Sequence, residues 1–324
     1  MRRHREGVLV SDKKIIAVLG STGAQGGGLI RAILDAPDGP FTARAVTRNA
    51  GSAKARALAE LGVEVVEASL EDESSLRTAF AGAHGVYVVT NFWESMSADV
   101  ELAQAATAAR AVKAAAVAHV VWSTLEDTRE VIPVSDQRVP VLQDRYTVPH
   151  FDAKAEADAF FRDSGVPTTY LRTTFYWEGF TQGSGPARGE DGRLVFTLPL
   201  SEARLAGIAA EDIGRTAYGV FAAGDQYVGK TVSIAGEHLT GAQYAAAFAD
   251  ALGEPVDYRP LTHDQLRSLG LPAGDELGNM FQFYVEGERD FVGARDLDLV
   301  RTLNPRLQTF RGWLAEHVEA VKPA

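Results

Sequence analysis

Gly20, Gly23 and Gly26 stand three residues apart in Gly20-Ser21-Thr22-Gly23-Ala24-Gln25-Gly26. Before them Ile15 to Leu19 is a short apolar run of the kind that forms a strand buried on both faces. After them Leu29, Ile30, Ile33 and Leu34 recur at helical period. Strand, glycine turn and helix in that order are the context a dinucleotide fingerprint requires. The first glycine permits the tight turn, the second lets backbone approach a pyrophosphate, and the third lets helix pack on strand. The free N–H groups that open the helix then face phosphate oxygens. Glycine at a buried turn also serves packing alone, but the flanking pattern favours nucleotide binding.

Two further places carry charge where a nucleotide would use it. About 20 residues past the glycines, folds that prefer NAD hold an acid for the ribose 2′-hydroxyl. This chain has Val46-Thr47-Arg48-Asn49 there, with no acid. The planar fork of an arginine suits a 2′-phosphate, and Lys54 adds a second positive charge, so NADP(H) is the expected cofactor. A solvated loop arginine is the alternative. Farther on, the spacing of His150 and Lys154 puts both on one helical face, within reach of one ligand. Imidazole transfers protons near neutrality, and a neighbouring ammonium favours its neutral form.

The elements that must position these residues alternate strand and helix from Ile15 to Arg172, which predicts a parallel sheet with right-handed crossovers. Ligands of such sheets sit beyond the strand C-termini, where Thr90-Asn91-Phe92 falls. The Phe92-Trp93 pair is either loop packing or the wall of a ring site. Residues 125–149 lack periodicity and contain Pro133, Pro140 and Pro149. A stretch of that length is usually a functional lid or disordered. The expected fold is α/β: a Rossmann-type doubly wound parallel sheet with a smaller C-terminal α/β domain. Its divisions are an N-terminal arm (1–12), a nucleotide-binding domain (13–179) and a substrate or partner domain (180–324), some of whose elements return to the first sheet.

Composition narrows the function. The 324 residues include no cysteine, which excludes disulfides, thiolate metal sites and cysteine nucleophiles. His, Asp and Glu show no metal-ligand spacing. Lys and Arg number 32 against 43 Asp and Glu, a formal net charge of −11. An acidic surface repels phosphate backbones, so no nucleic-acid partner is expected. No apolar run approaches the roughly 20 residues of a membrane span, and Gly7-Val8-Leu9-Val10 is too short for a signal-peptide core. A cytoplasmic location is expected.

The G-x-x-G-x-x-G spacing resembles that of the extended and atypical short-chain dehydrogenases, and the wording of Gly20 to Gly26 resembles the NmrA-like family within them. Val89-Thr-Asn-Phe-Trp-Glu-Ser95 and His150-Phe-Asp-Ala-Lys154 are similar to segments of its mammalian NADPH-sensor branch. The resemblance spans Lys13 to Trp313. It implies cofactor contacts from Gly20 through Gly26 and from Thr90, Asn91 and Phe92. Lys154 would bind the nicotinamide ribose, with Tyr176, Trp177, Glu178 and Gly179 flanking the nicotinamide. Ser123 or Thr124 occupies the place of the catalytic serine, and His150 replaces the catalytic tyrosine of Tyr-x-x-x-Lys. Two departures stand out: Leu102-Ala103-Gln104 replaces a lysine near the cofactor, and Gly179 an asparagine. The resemblance implies a redox sensor whose NADPH-dependent conformation is read by a protein partner. The alternative is an NADPH-dependent reductase of quinones or similar small electrophiles. A homodimer is compatible with either.

Overall fold

The computed structural model describes residues 13–323; the arm expected over residues 1–12 lies outside them. The first half winds through β1 (Lys14–Val18), α1 (Ala24–Leu34), β2 (Phe41–Thr47), α2 (Ala53–Glu60), β3 (Glu64–Glu67), α3 (Glu73–Phe80) and β4 (Gly85–Val88). It continues through the single turn α4 (Phe92–Ser95), the long α5 (Ala98–Ala114), β5 (His119–Thr124), α6 (Pro149–Ser164) and β6 (Thr168–Arg172). After β7 (Phe175–Tyr176) come β8 (Ala187–Arg188), β9 (Leu194–Phe196), β10 (Arg204–Ile208), α7 (Ala210–Ala222), β11 (Thr231–Ser233) and β12 (Glu237–Thr240). The chain closes with α8 (Gly241–Leu252), β13 (Val256–Tyr258), α9 (His263–Arg267), α10 (Gly274–Glu286), α11 (Glu288–Gly293), α12 (Leu297–Leu303) and α13 (Phe310–Val321).

Seven strands form the main sheet in the order β3-β2-β1-β4-β5-β6-β11, every pairing parallel. Its two faces are both apolar. Leu29, Ile30, Ile213, Ala217 and Val220 from α1 and α7 cover one, and Ala105, Ala108, Val112 and Phe161 from α5 and α6 cover the other. Each fully buried Leu or Ile contributes about 1.5–3 kcal/mol over the exposed state. The contact of α1 with α7 is backbone on backbone. A Cβ on Gly28 would lie 2.3 Å from Glu211 O, and one on Gly214 would lie 2.2 Å from Leu29 N, so both positions must lack a side chain.

The chain leaves the large sheet at β7, which begins a small sheet β7-β10-β12; a second small sheet orders β8-β9-β13. Their core is aromatic, with Trp177, Phe180, Tyr244, Phe248, Phe310 and Trp313 packed together. Among the described residues no helix is long and apolar enough to cross a membrane.

Residues 125–149 are neither structureless nor a free lid. Asp152, in the first turn of α6, accepts from Thr128 N (2.8 Å), Thr128 Oγ1 (2.6 Å), Thr147 N (2.9 Å) and Val148 N (3.0 Å). Asn279 of α10 donates to Pro140 O (3.0 Å) and Thr147 O (2.7 Å). The prolines suppress periodicity, but side chains from α6 and α10 supply the backbone partners that secondary structure would otherwise give.

Candidate functional site

Beyond the C-termini of β1, β2 and β4 lies a cleft of about 550 Å³, within the range of small-molecule and cofactor sites. The turn after β1 forms its floor. Gly20 adopts φ +64° there, and a Cβ on Gly26 would meet Gly20 O at 2.5 Å. The N-cap of α1 is Gly23, with no side-chain cap and no acid in the first turn, so the opening N–H groups and the positive helix end are left for an anion.

The structure gathers Gly20, Thr22, Gly23, Ala24, Gln25, Gly26, Arg48, Thr90, Asn91 and Tyr176 on the wall of this cleft. It does not bring the remaining expected residues there. Ser21 is buried and donates to Val46 O at 2.9 Å, tying the turn to β2. Lys54 is exposed on α2, outside the wall, where Asn49 and Ser52 stand instead. Phe92, the first residue of α4, is buried, its ring 5.5 Å from that of Trp93. Trp177 belongs to the C-terminal aromatic core, its Nε1 donating to Tyr244 OH at 3.2 Å. Glu178 accepts from Ala210 N at 3.0 Å and so caps α7. Gly179 sits beside Phe175 in the turn that follows.

Lys154, expected at the nicotinamide ribose, does not stand on the cleft wall. Its Nζ is buried behind Thr90, donating to Thr90 Oγ1 (2.7 Å) and Thr90 O (3.2 Å) and pairing with the Glu101 carboxylate. His150, one turn earlier, is equally committed. Its Nδ1 lies 2.6 Å from Glu276 Oε1, which also accepts the His150 N–H at 2.9 Å. The two residues share a helical face, but each meets a different carboxylate, on α10 and on α5. His150 is therefore a bridge to α10 and no acid at the cleft.

Ser123 lies beneath the floor, in a network centred on Gln25. The Gln25 Oε1 accepts from Ser123 Oγ (2.9 Å) and from Tyr87 OH, while its Nε2 donates to Tyr176 OH at 2.6 Å. Both ends of the amide are thus occupied, and the side chain is fixed. Burial pushes the Tyr176 hydroxyl up to about 12 and raises Tyr87 as well, so both stay protonated. Thr124 Oγ1 turns away and donates to Asp158 Oδ1 at 2.7 Å. Burial raises Asp158 to about 6 despite the hydrogen bonds from Thr124 and Trp122 and the weaker opposing charges of Arg172 and Arg162.

Two carboxylates of this region escaped the sequence reading. Glu94 lines the cleft and holds Arg48 in a two-pronged pair, Nη1 to Oε2 at 2.6 Å and Nη2 to Oε1 at 2.9 Å. Glu101 holds Lys154 as described, and its Oε2 has no hydrogen-bond partner among the described residues. Local spacing gave no signal for either, because each partner lies about 50 residues away in the chain.

The model of the NmrA-like family matches residues 12–313. The NmrA-like family domain-containing oxidoreductase malD of Malbranchea aurantiaca is 27% identical over 317 residues, covering 93% of this chain and 92% of that protein. The (4-alkanoyl-5-oxo-2,5-dihydrofuran-3-yl)methyl phosphate reductase of Streptomyces griseus is 28% identical over 318 residues, covering 95% of this chain and 100% of the other. The crystal structure of Nmra, a negative transcriptional regulator, in complex with NADP superposes with a TM-score of 0.75 at 24% identity, over 94% of this chain and 95% of that one. The Citrobacter sp. triphenylmethane reductase complexed with NADP(H) gives 0.70 at 19% identity, over 95% and 98%. At these identities the two superpositions establish a shared fold.

Proposed function

This chain belongs to the NmrA-like family, and we propose that it works as an NADPH-dependent reductase of small electrophiles. The observation that carries this reading is the convergence of the glycine turn, Arg48 and Tyr176 on one cleft. NADPH, when bound, supplies the hydride. The N–H groups opening α1 bind the pyrophosphate, and Arg48 takes the 2′-phosphate once freed from Glu94. Thr90, Asn91 and Tyr176 line the rest of the path. The names of malD and the Streptomyces griseus enzyme, an oxidoreductase and a reductase, support catalysis over the pure sensor that the sequence suggested.

The acceptor class follows from the missing acid. A plain ketone becomes an alkoxide that needs a positioned proton, and such an acid contributes about 100- to 10,000-fold. His150 and Lys154 are both engaged elsewhere, and the Tyr176 hydroxyl is tied to Gln25 and Thr173. The preferred substrate is therefore a quinone or conjugated carbonyl, whose charge delocalises after hydride addition. NADPH consumption measured with a 1,4-benzoquinone and with cyclohexanone tests this: turnover is expected with the first alone. Equal turnover of the ketone would overturn it.

One observation favours a sensor role beside catalysis. Arg48 is held by Glu94 of the turn that follows β4. A 2′-phosphate that recruits Arg48 must displace that carboxylate, a change that a protein partner could read.

A further inference from the structure

Arg48 is not waiting empty. Glu94 grips it with both oxygens, at 2.6 and 2.9 Å, and all the participating side chains stand on the cleft wall. The Glu94 carboxylate is thus placed as a 2′-phosphate would be: two anionic oxygens facing the guanidinium fork in a two-pronged contact. Asn91 Nδ2 donates to Glu94 Oε1 at 3.1 Å, which holds the carboxylate in place from behind. The turn that bears it is itself anchored. Phe92 is buried, Trp93 packs against the His150 ring with centroids 4.8 Å apart, and His150 is tied to Glu276.

We propose that Glu94 is a specificity-determining residue, an internal competitor that occupies the 2′-phosphate position on Arg48 and lowers the chain's preference for NADPH over NADH. The proposal rests on the reading of Arg48 as the 2′-phosphate ligand. A phosphorylated ribose must displace the carboxylate and then tolerate its negative charge nearby. A bare ribose does neither. The fork that recognises phosphate bidentately is the same one Glu94 satisfies, so the two anions exclude each other.

Titration calorimetry with NADPH, NADH, 2′,5′-ADP and 5′-AMP on the full chain separates the two claims. Glu94→Gln removes the charge and keeps the shape. It is expected to tighten NADPH and 2′,5′-ADP about five-fold, the equivalent of one exposed ion pair, and to leave NADH and 5′-AMP unchanged. Arg48→Ala is expected to weaken only the ligands that carry a 2′-phosphate. If Arg48→Ala weakens 2′,5′-ADP while Glu94→Gln leaves it unchanged or weaker, the competition is wrong and the Arg48 assignment stands. Equal tightening of NADH and NADPH in Glu94→Gln also overturns the competition. If Arg48→Ala weakens all four ligands alike, the 2′-phosphate reading itself fails.

Discussion

Glu94 and Glu101 sit on the short segment that follows β4, and each holds one cation, Arg48 on the cleft wall and Lys154 in the interior behind Thr90. Their surroundings differ. Side chains of the Arg48–Glu94 pair are 69% and 47% exposed, whereas those of Lys154–Glu101 are 11% and 1% exposed. In the first pair water already solvates both charges, so separating them costs little and salt screens their attraction. In the second, desolvation has been suffered by both groups, and removing either strands the other. The outer pair is a contact that ligands can exchange. The inner pair is part of the framework joining α5, α6 and the end of β4.

The sharpest way to break this comparison is to neutralise the inner carboxylate. Glu101→Gln leaves Lys154 buried without its counter-ion and should cost about 3–5 kcal/mol in urea unfolding. A loss below 1 kcal/mol would show that water reaches this pair. Asp158, one turn beyond Lys154, probes the same interior through pH. Its carboxyl is raised from 3.8 to about 6 by burial, so the folded state binds the extra proton. The stability it contributes is full below about 3.8 and lost as pH rises through about 6. A two-unit rise corresponds to about 3 kcal/mol. Asp158→Asn should flatten the stability profile between those pH values, and an unchanged profile would place the titration elsewhere.

At the outer end the expected effects are smaller and concern ligands. Arg48→Ala should remove about 1.5–3 kcal/mol of NADPH binding, roughly a 10- to 150-fold loss, with NADH unaffected. Comparable losses for both cofactors would sink the assignment. Smallest is the stability cost of Glu94→Gln, below about 1 kcal/mol by thermal unfolding. A larger loss would make Glu94 structural and erase the contrast with Glu101.

The regular part of the molecule was readable because periodicity and glycine spacing are local. The run Ile15–Leu19, the turn at Gly20 and the helix from Leu29 reappear as β1 and α1, and the alternation to Arg172 gives the parallel sheet. Placement of Arg48 on the cleft wall followed from its distance past the glycines. Orientation was not readable. Spacing puts His150 and Lys154 on one face, but what that face meets is decided by Glu276 and Glu101, which only the tertiary fold brings near. Trp177 and Glu178 follow Tyr176 directly, yet the turn that starts there sends them into the aromatic core and the cap of α7.

The way the sheet is finished bears on how the protein is made. Its last strand, β11, and its cover helix, α7, are encoded beyond residue 209, more than 40 residues after β6 in the case of β11 and α7's end. While the ribosome adds the residues between β6 and β11, β6 presents an unpaired edge and α1 an uncovered apolar stripe. At roughly 5–20 residues per second that interval lasts several seconds. An open strand edge beside exposed Leu and Ile templates association with neighbouring chains. Ribosome-arrested chains ending before and after β11 emerges should differ sharply in protease resistance, and soluble yield should follow translation speed and chaperone supply more closely than the stability of the finished fold.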